Sequence, residues 1–303
     1  MSRIPPTRRS RSAPTRLTIA VGALAVLMAA AACNTQDSVG GLLVATGGPL
    51  RVTDASGALV SFDGPAEPVV AVSASDGIVV ATTVAGGFVT SDGSSPNRTW
   101  RPIGVPLGEA SDVRLVAISP LGRELAVAVG DPQGAGFKLI VIDVGLGTTR
   151  SFAVDRGLNG SPSWIGPDRV ALDVIKPDGE SAQATIDTHS GAVTDDALEG
   201  RVASATYDRV HLAVDDPTNG DVLVGVGDGK VLRPLGQVTR LTGPDGSSVE
   251  SLSIDPGGRQ LAVVRRTEDG TASIEIYRLT DQGWRSARTI AIGDGSVSIA
   301  WLQ

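Results

Sequence analysis

The sequence is poor in the residues that most often carry catalysis or bind metals. It has one cysteine, Cys33, and two histidines, His189 and His211, in 303 residues. A single cysteine allows no intramolecular disulfide, and two histidines exclude a histidine-rich metal cluster. They also leave few ways to build a Ser-His-Asp triad. We therefore predict no catalytic residue, metal site or cofactor.

The first 32 residues have the features of an export signal. Five arginines and no acidic residue precede position 17, and the segment 17–32 is apolar apart from Thr18. A basic stretch followed by such an apolar run is typical of a cleaved signal peptide. The run of roughly 16 residues is shorter than the ~20 that cross a bilayer as a helix. We therefore expect residues 1–32 to be removed rather than to remain as a membrane span.

Small residues lead directly from this apolar run into Cys33, and the segment from Leu27 to Cys33 resembles the lipobox of bacterial lipoproteins. Ala30 stands where that motif usually has leucine. The resemblance implies a lipid on Cys33, with residues 33–40 as a tether and the rest of the chain outside the cytoplasm at the cell membrane. The alternative is cleavage by an ordinary signal peptidase, after which Cys33 would be a free thiol.

Removal of the leader would make the chain strongly acidic. The five leader arginines take the basic residues from 26 to 21, against 33 acidic residues, so the net charge falls from −7 to about −12. Such a surface does not favour non-specific binding to nucleic acid or anionic lipid. The expected partners are the membrane, through the lipid, and an envelope protein or polysaccharide.

Residues 41–303 read as many short strands. Runs of Val, Ile, Leu and Thr are bounded by Gly, Pro, Asp and Asn, and helical periodicity is missing. A strand, a tight turn and a second strand recur, with second strands expected to open at Ile78, Glu124, Val170, Val210 and Gln260. Steps of about 40 to 50 residues between strand-only units are typical of propeller blades.

The best-patterned units run from Ala117 to Ala128 and from Leu252 to Val263, with Ser-Pro-Leu-Gly-Arg and Asp-Pro-Gly-Gly-Arg at their turns. Other turns begin with Asp and end with Gly. These features resemble the WD40-like repeats of the TolB-type β-propeller, and the leader resembles that of actinobacterial lipoproteins. The resemblance implies an all-β β-propeller, and counting the units predicts that it is six-bladed, after a cleaved signal peptide, provided that the two ends close on each other. Closure is expected where the last strand, near residues 296–303, pairs with the first, near residues 41–46.

Candidate binding residues lie where first strands are expected to open, around the channel mouth: Glu67, Arg114, Ser163, Arg201 and Glu250. Their mixed charges would suit a small polar ligand. An acidic rim is expected on the same face, formed by Asp131, Asp178, Glu180, Asp215, Asp216, Asp221, Glu268 and Asp269. A set of arginines is expected on the other face: Arg123, Arg169, Arg209 and Arg259. Ordinary turn chemistry and local ion pairing are the competing explanations for both sets.

The function predicted from these features is that of a non-enzymatic, lipid-anchored binding or scaffold module at the cell envelope. The alternative is an extracytoplasmic propeller hydrolase or lactonase with a metal in its central channel. A sugar or cell-wall binder is a third hypothesis.

The lipid on Cys33 gives a direct prediction. In the native host, Cys33→Ser should abolish labelling by a clickable palmitate analogue and should release the protein from the membrane fraction, because the thiol is the attachment point. Ser38→Ala, in the expected tether, is the matched control and should leave both unchanged. A Cys33→Ser protein that still carries label would contradict the assignment.

Overall fold

A computed structural model describes residues 41–92, 98–104, 113–130, 136–158, 162–196, 202–204, 210–216, 220–227 and 235–302. The export signal predicted at residues 1–32 and the lipidated Cys33 and tether predicted at residues 33–40 lie outside these ranges. The described residues contain strands and turns and no helix. Accordingly, none of them forms an apolar helix of membrane-spanning length.

The described part of the chain forms twenty-five strands: β1 (Leu42–Ala45), β2 (Arg51–Thr53), β3 (Leu59–Ser61), β4 (Val69–Ser75), β5 (Ile78–Thr83), β6 (Phe88–Asp92), β7 (Arg101–Ile103), β8 (Val113–Ile118), β9 (Glu124–Gly130), β10 (Phe137–Asp143), β11 (Thr149–Val154), β12 (Gly157–Leu158), β13 (Ser163–Trp164), β14 (Arg169–Ile175), β15 (Ser181–Asp187), β16 (Val193–Asp196), β17 (Val202–Ser204), β18 (Val210–Asp216), β19 (Asp221–Gly227), β20 (Leu235–Leu241), β21 (Ser248–Ile254), β22 (Gln260–Arg266), β23 (Ala272–Thr280), β24 (Gly283–Gly293) and β25 (Ser298–Trp301).

These strands pair into six antiparallel sheets. In sheet order they are β25-β1-β2-β3, β4 to β7, β8 to β11, β12 to β16, β17 to β20 and β21 to β24. The strands β25, β4, β8, β13, β17 and β21 contact one another in that circular order. Sheets arranged around a common centre in this way form a β-propeller, so the all-β propeller expected from the sequence is confirmed.

The ends of the described chain share one sheet. β1 pairs antiparallel with β25, with Leu43 opposite Ala300 and Val44 opposite Ile299. The amide of Leu302 also donates to the carbonyl of Gly41 at 2.7 Å. β1 is therefore bonded on both sides, to β25 and to β2, and the expected closure by the terminal strands is confirmed.

The hydrophobic core is distributed between neighbouring sheets. Buried residues of the described chain fall into five clusters, and each one joins two adjacent sheets. One cluster joins β1 and β25 to β22 and β23 through Val44, Ile299, Val264 and Ile274. The described side chains thus form a core at five junctions between neighbouring sheets. The six repeating units predicted from the sequence would have six such junctions. No cluster spans the junction between the β12–β16 and β17–β20 sheets, where many side chains fall outside the described set.

The recurring turn before an arginine has a specific backbone geometry. The amide of Gly122 bonds to the carbonyl of Ser119, and that of Gly258 bonds to the carbonyl of Asp255, both at 2.8 Å. The φ angles of the two glycines are +67° and +66°, values that a residue with a Cβ rarely adopts. A Cβ at Gly122 would also lie 2.9 Å from the Ile78 side chain. The glycine of the repeat is therefore required by its turn.

The sheet that holds β14 departs from the simple repeat. β12 and β13 are two-residue strands that pair with opposite ends of β14, where the repeat predicts one inner strand. Pro162, just before β13, has no N–H to contribute to a strand ladder. β14 also begins at Arg169, one residue before the expected Val170.

Closure by the terminal strands makes the fold sensitive to truncation. Deleting residues 295–303 should unfold the propeller, because it removes β25 and exposes the inner edge of β1. The far-ultraviolet circular dichroism and thermal unfolding of the purified protein measure this effect. Deleting Gln303 alone leaves β25 intact and should retain the wild-type transition. A folded, soluble 295–303 deletion would contradict the role assigned to closure.

Candidate functional site

The centre of the ring holds a narrow channel of about 150 Å³. Its described walls come from β4, β8, β13, β21 and β25, and each lining side chain that the structure describes there is uncharged. Serine is the commonest polar residue there, and the lining serines are Ser73, Ser75, Ser163, Ser251, Ser253 and Ser298. The described channel therefore offers hydroxyl groups and apolar surface.

Several of these hydroxyls join neighbouring sheets. Ser298 Oγ in β25 accepts a hydrogen bond from the amide of Val72 in β4 at 3.1 Å. Ser73 Oγ in β4 accepts one from the amide of Ile118 in β8 at 3.0 Å. Ser75 Oγ donates to the carbonyl of Pro120 at 2.9 Å. These bonds tie the inner strands together where no backbone ladder connects them.

Two buried tryptophans make equivalent connections. Trp164 Nε1 donates to the carbonyl of Ala117 at 2.9 Å, and Trp301 Nε1 donates to the carbonyl of Ser253 at 3.0 Å. Both indoles are almost fully buried and line the channel. The bond from Trp301 connects β25 to β21, so the strand that closes the ring is also fixed on its other side.

The structure describes some of the residues predicted at the channel mouth. Ser163 lines the channel, whereas Glu67 and Glu250 are not part of its wall. Glu67 is exposed in the segment before β4. Arg114 lies in β8, and Arg201 lies outside the described residues. The mixed-charge arrangement expected at the mouth therefore stays a prediction, because the Arg114 side chain and Arg201 lie outside what the structure describes.

Glu250 has a local structural role. Its Oε2 accepts a hydrogen bond from Arg266 Nη2 at 2.6 Å, and its Oε1 accepts one from the amide of Val297 at 3.0 Å. Arg266 also donates to the carbonyls of Gly270 and Gly295. Both carboxylate oxygens are engaged, so this cluster holds the segment entering β25 against β21 and β22.

Local contacts also engage described members of the expected acidic rim. Asp221 pairs with Arg240 at 2.7 Å, and Asp178 accepts a bond from the amide of Glu180 at 3.0 Å. Asp269 accepts bonds from Thr267 Oγ1 and the amide of Thr271. These bonds, that of Thr267 foremost, hold the pKa of Asp269 below its usual value. Asp131 lies outside the described residues, as does Arg209 of the set predicted on the opposite face.

A buried ionic network between two sheets was not anticipated from the sequence. Arg265 in β22 is 1% exposed, and its Nε donates to Glu275 Oε2 at 2.6 Å. Its Nη1 donates to the carbonyl of Gly220, beside β19 of the neighbouring sheet. Tyr277 donates its hydroxyl proton to the same Glu275 oxygen at 2.7 Å. The only sequence signal is that Arg265 directly follows the apolar run from Leu261 to Val264 in β22.

The Tyr277 hydroxyl should make the stability of the protein depend on alkaline pH. Burial, together with the bond to Glu275, raises its pKa from 10.0 to about 12. The folded state thus holds this proton more tightly than the unfolded chain does. Its contribution to the free energy of unfolding is complete below about pH 10 and is lost as the pH rises towards 12.

Urea unfolding between pH 9 and pH 11.5 tests this dependence. The free energy of unfolding of the wild type should fall more steeply with pH than that of Tyr277→Phe, which has no proton to lose. Trp284→Phe, at a partly exposed aromatic residue in β24, should keep the wild-type slope. Equal slopes for Tyr277→Phe and the wild type would contradict the raised pKa.

This chain resembles known proteins in its fold rather than in its sequence. No protein-family model matches the sequence, and no curated protein matches it. Among solved structures, TolB from Acinetobacter baumannii is 17% identical with a TM-score of 0.62, over 88% of this chain and 67% of that one. A protein described as TolB from Agrobacterium tumefaciens is 13% identical with a TM-score of 0.56, over 84% and 91%. A chain of the mitotic checkpoint complex is 14% identical with a TM-score of 0.52, over 79% and 87%. The chain thus has the β-propeller fold seen in TolB and other WD40-like proteins.

Proposed function

We propose that this chain is a lipid-anchored, extracytoplasmic six-bladed propeller that binds a partner protein at the cell envelope and has no catalytic activity of its own. The membrane anchor is the lipid on Cys33. The observation that carries the binding role is the bonding between inner strands, in which serine and tryptophan side chains join adjacent sheets.

Those bonds support binding because they make the ring rigid. A surface that is already ordered loses little conformational entropy when a partner docks, so its contacts contribute more fully to affinity. Loops at the ends of short strands then supply the side chains that contact the partner. The fold shared with TolB and with a chain of the mitotic checkpoint complex is consistent with a protein partner.

The position of Gly41 supports one face as the binding surface. β1 runs from Gly41 towards the loops that join second to third strands, so the tether reaches the ring on the face of the first-to-second turns. A tether of about seven residues spans at most ~25 Å, which would hold that face near the membrane. The opposite face, where Glu67 is exposed before β4, would then be open to a partner.

Photo-cross-linking in the native host tests this proposal. A photoreactive amino acid at Glu67 should give a discrete protein adduct, because this position faces away from the anchor. The same amino acid at Leu146, which is 78% exposed in the β10–β11 turn, is the matched control and should give no such adduct. Adducts at Leu146 alone, or none at either position, would contradict the proposal.

Metal analysis of the purified protein separates this function from that of a metal-dependent hydrolase. The binding proposal predicts that calcium and zinc are present only in substoichiometric amounts. A stoichiometric metal that is lost in Glu67→Ala or Glu250→Ala would overturn it.

A further inference from the structure

A second cavity, of about 370 Å³, opens on the face of the first-to-second turns. It lies between two sheets, with the β8–β9 turn on one side and the β13–β14 turn and His189 on the other. Its volume falls within the ~300–1,000 Å³ of small-molecule sites. It shares only Pro120 with the described wall of the central channel.

Three carboxylates line this cavity, and each of them already contacts a neighbouring group. Asp143 Oδ1 accepts bonds from the amides of Gly145 at 2.9 Å and Leu146 at 2.7 Å. Glu124 pairs with Arg150 through one oxygen. Asp168 lies 3.7 Å from His189 Nδ1, and both side chains are more than half exposed. In each carboxylate, therefore, one oxygen atom takes part in none of these contacts.

Arg123 is the cation of the cavity wall that these carboxylates do not neutralise. Its side chain is exposed, and none of the ion pairs formed within the described residues includes it. Arg123 and the carboxylates therefore line one cavity without pairing with each other. A guanidinium presents donors suited to a carboxylate, whereas free carboxylate oxygens suit an ammonium group.

Three other residues of the wall are apolar, and Ser119 is polar. Pro120 and Leu121 come from the β8–β9 turn, and Pro167 comes from the β13–β14 turn. Leu121 is 37% exposed, so a ligand that covered it would remove apolar surface from water. The cavity thus combines a cation, several anions and an apolar side wall.

We propose that this cavity binds a free α-amino acid with an aliphatic side chain. The ligand carboxylate would bind Arg123, its ammonium group would bind Asp168 and Asp143, and its side chain would contact Leu121. The site is independent of the binding role proposed above, because it lies on the other face of the ring.

Calorimetric titration of the detergent-extracted full chain tests the site with three probes. L-leucine carries both charges, isovalerate carries only the carboxylate, and isopentylamine carries only the ammonium group. L-leucine should bind at least about tenfold more tightly than either partial probe, since each charge-assisted contact is worth roughly a tenfold change or more. Equal binding of isovalerate or isopentylamine, or no binding of L-leucine at millimolar concentration, would overturn the proposal.

Matched variants locate the site. Arg123→Gln and Asp168→Asn should each weaken L-leucine binding by about tenfold or more. Arg259→Gln is the control, because Arg259 follows the equivalent turn between β21 and β22 and lies outside the cavity. Circular dichroism checks that each variant is folded. Unchanged affinity in a folded Arg123→Gln protein, or an equal loss in Arg259→Gln, would refute the assignment.

Discussion

The pairing of β1 with β25 is the contact on which the rest of the ring depends. It joins residues about 250 positions apart, from Leu42 to Ala45 and from Ser298 to Trp301, and all four residues of β1 are buried. Without it, two strands would expose unpaired backbone edges. The core shared by Val44, Ile299 and Ile274 would also lose one side. Because the two strands are so far apart in sequence, their pairing is a strongly non-local contact, and contacts of this kind form slowly during folding.

Side chains around the channel also hold neighbouring sheets together. Backbone ladders hold strands within a sheet, but adjacent sheets meet through packed apolar residues and a few directed bonds. Ser298, Ser73, Trp164 and Trp301 provide such bonds between inner strands. Further from the channel, the buried Arg265 also joins two sheets, because it donates to the carbonyl of Gly220 beside β19. Small polar residues at the channel are therefore explained first by how the sheets are joined.

The sequence predicts the strands better than it predicts the sites. Ile78, Glu124, Val210 and Gln260 begin second strands as expected, because alternating apolar residues and turn glycines are local signals. Closure was also predictable, since the terminal segments each lack a partner. The ion pairs of the charged residues were not predictable: Arg266 binds Glu250, and Arg265 pairs with Glu275 within the core. Such pairing depends on the distance between sheets, which no local pattern encodes.

Native-state hydrogen exchange of the strands that close the ring tests the central claim most directly. If closure supports the whole propeller, amides of β1 and β25 should exchange only through global unfolding, with the same free energy as the central strands β5 and β9. The peripheral strand β3, which is largely exposed, should exchange at lower free energy. Exchange of β1 and β25 at the free energy of β3 would show that the ring opens locally at its seam, and would contradict the account.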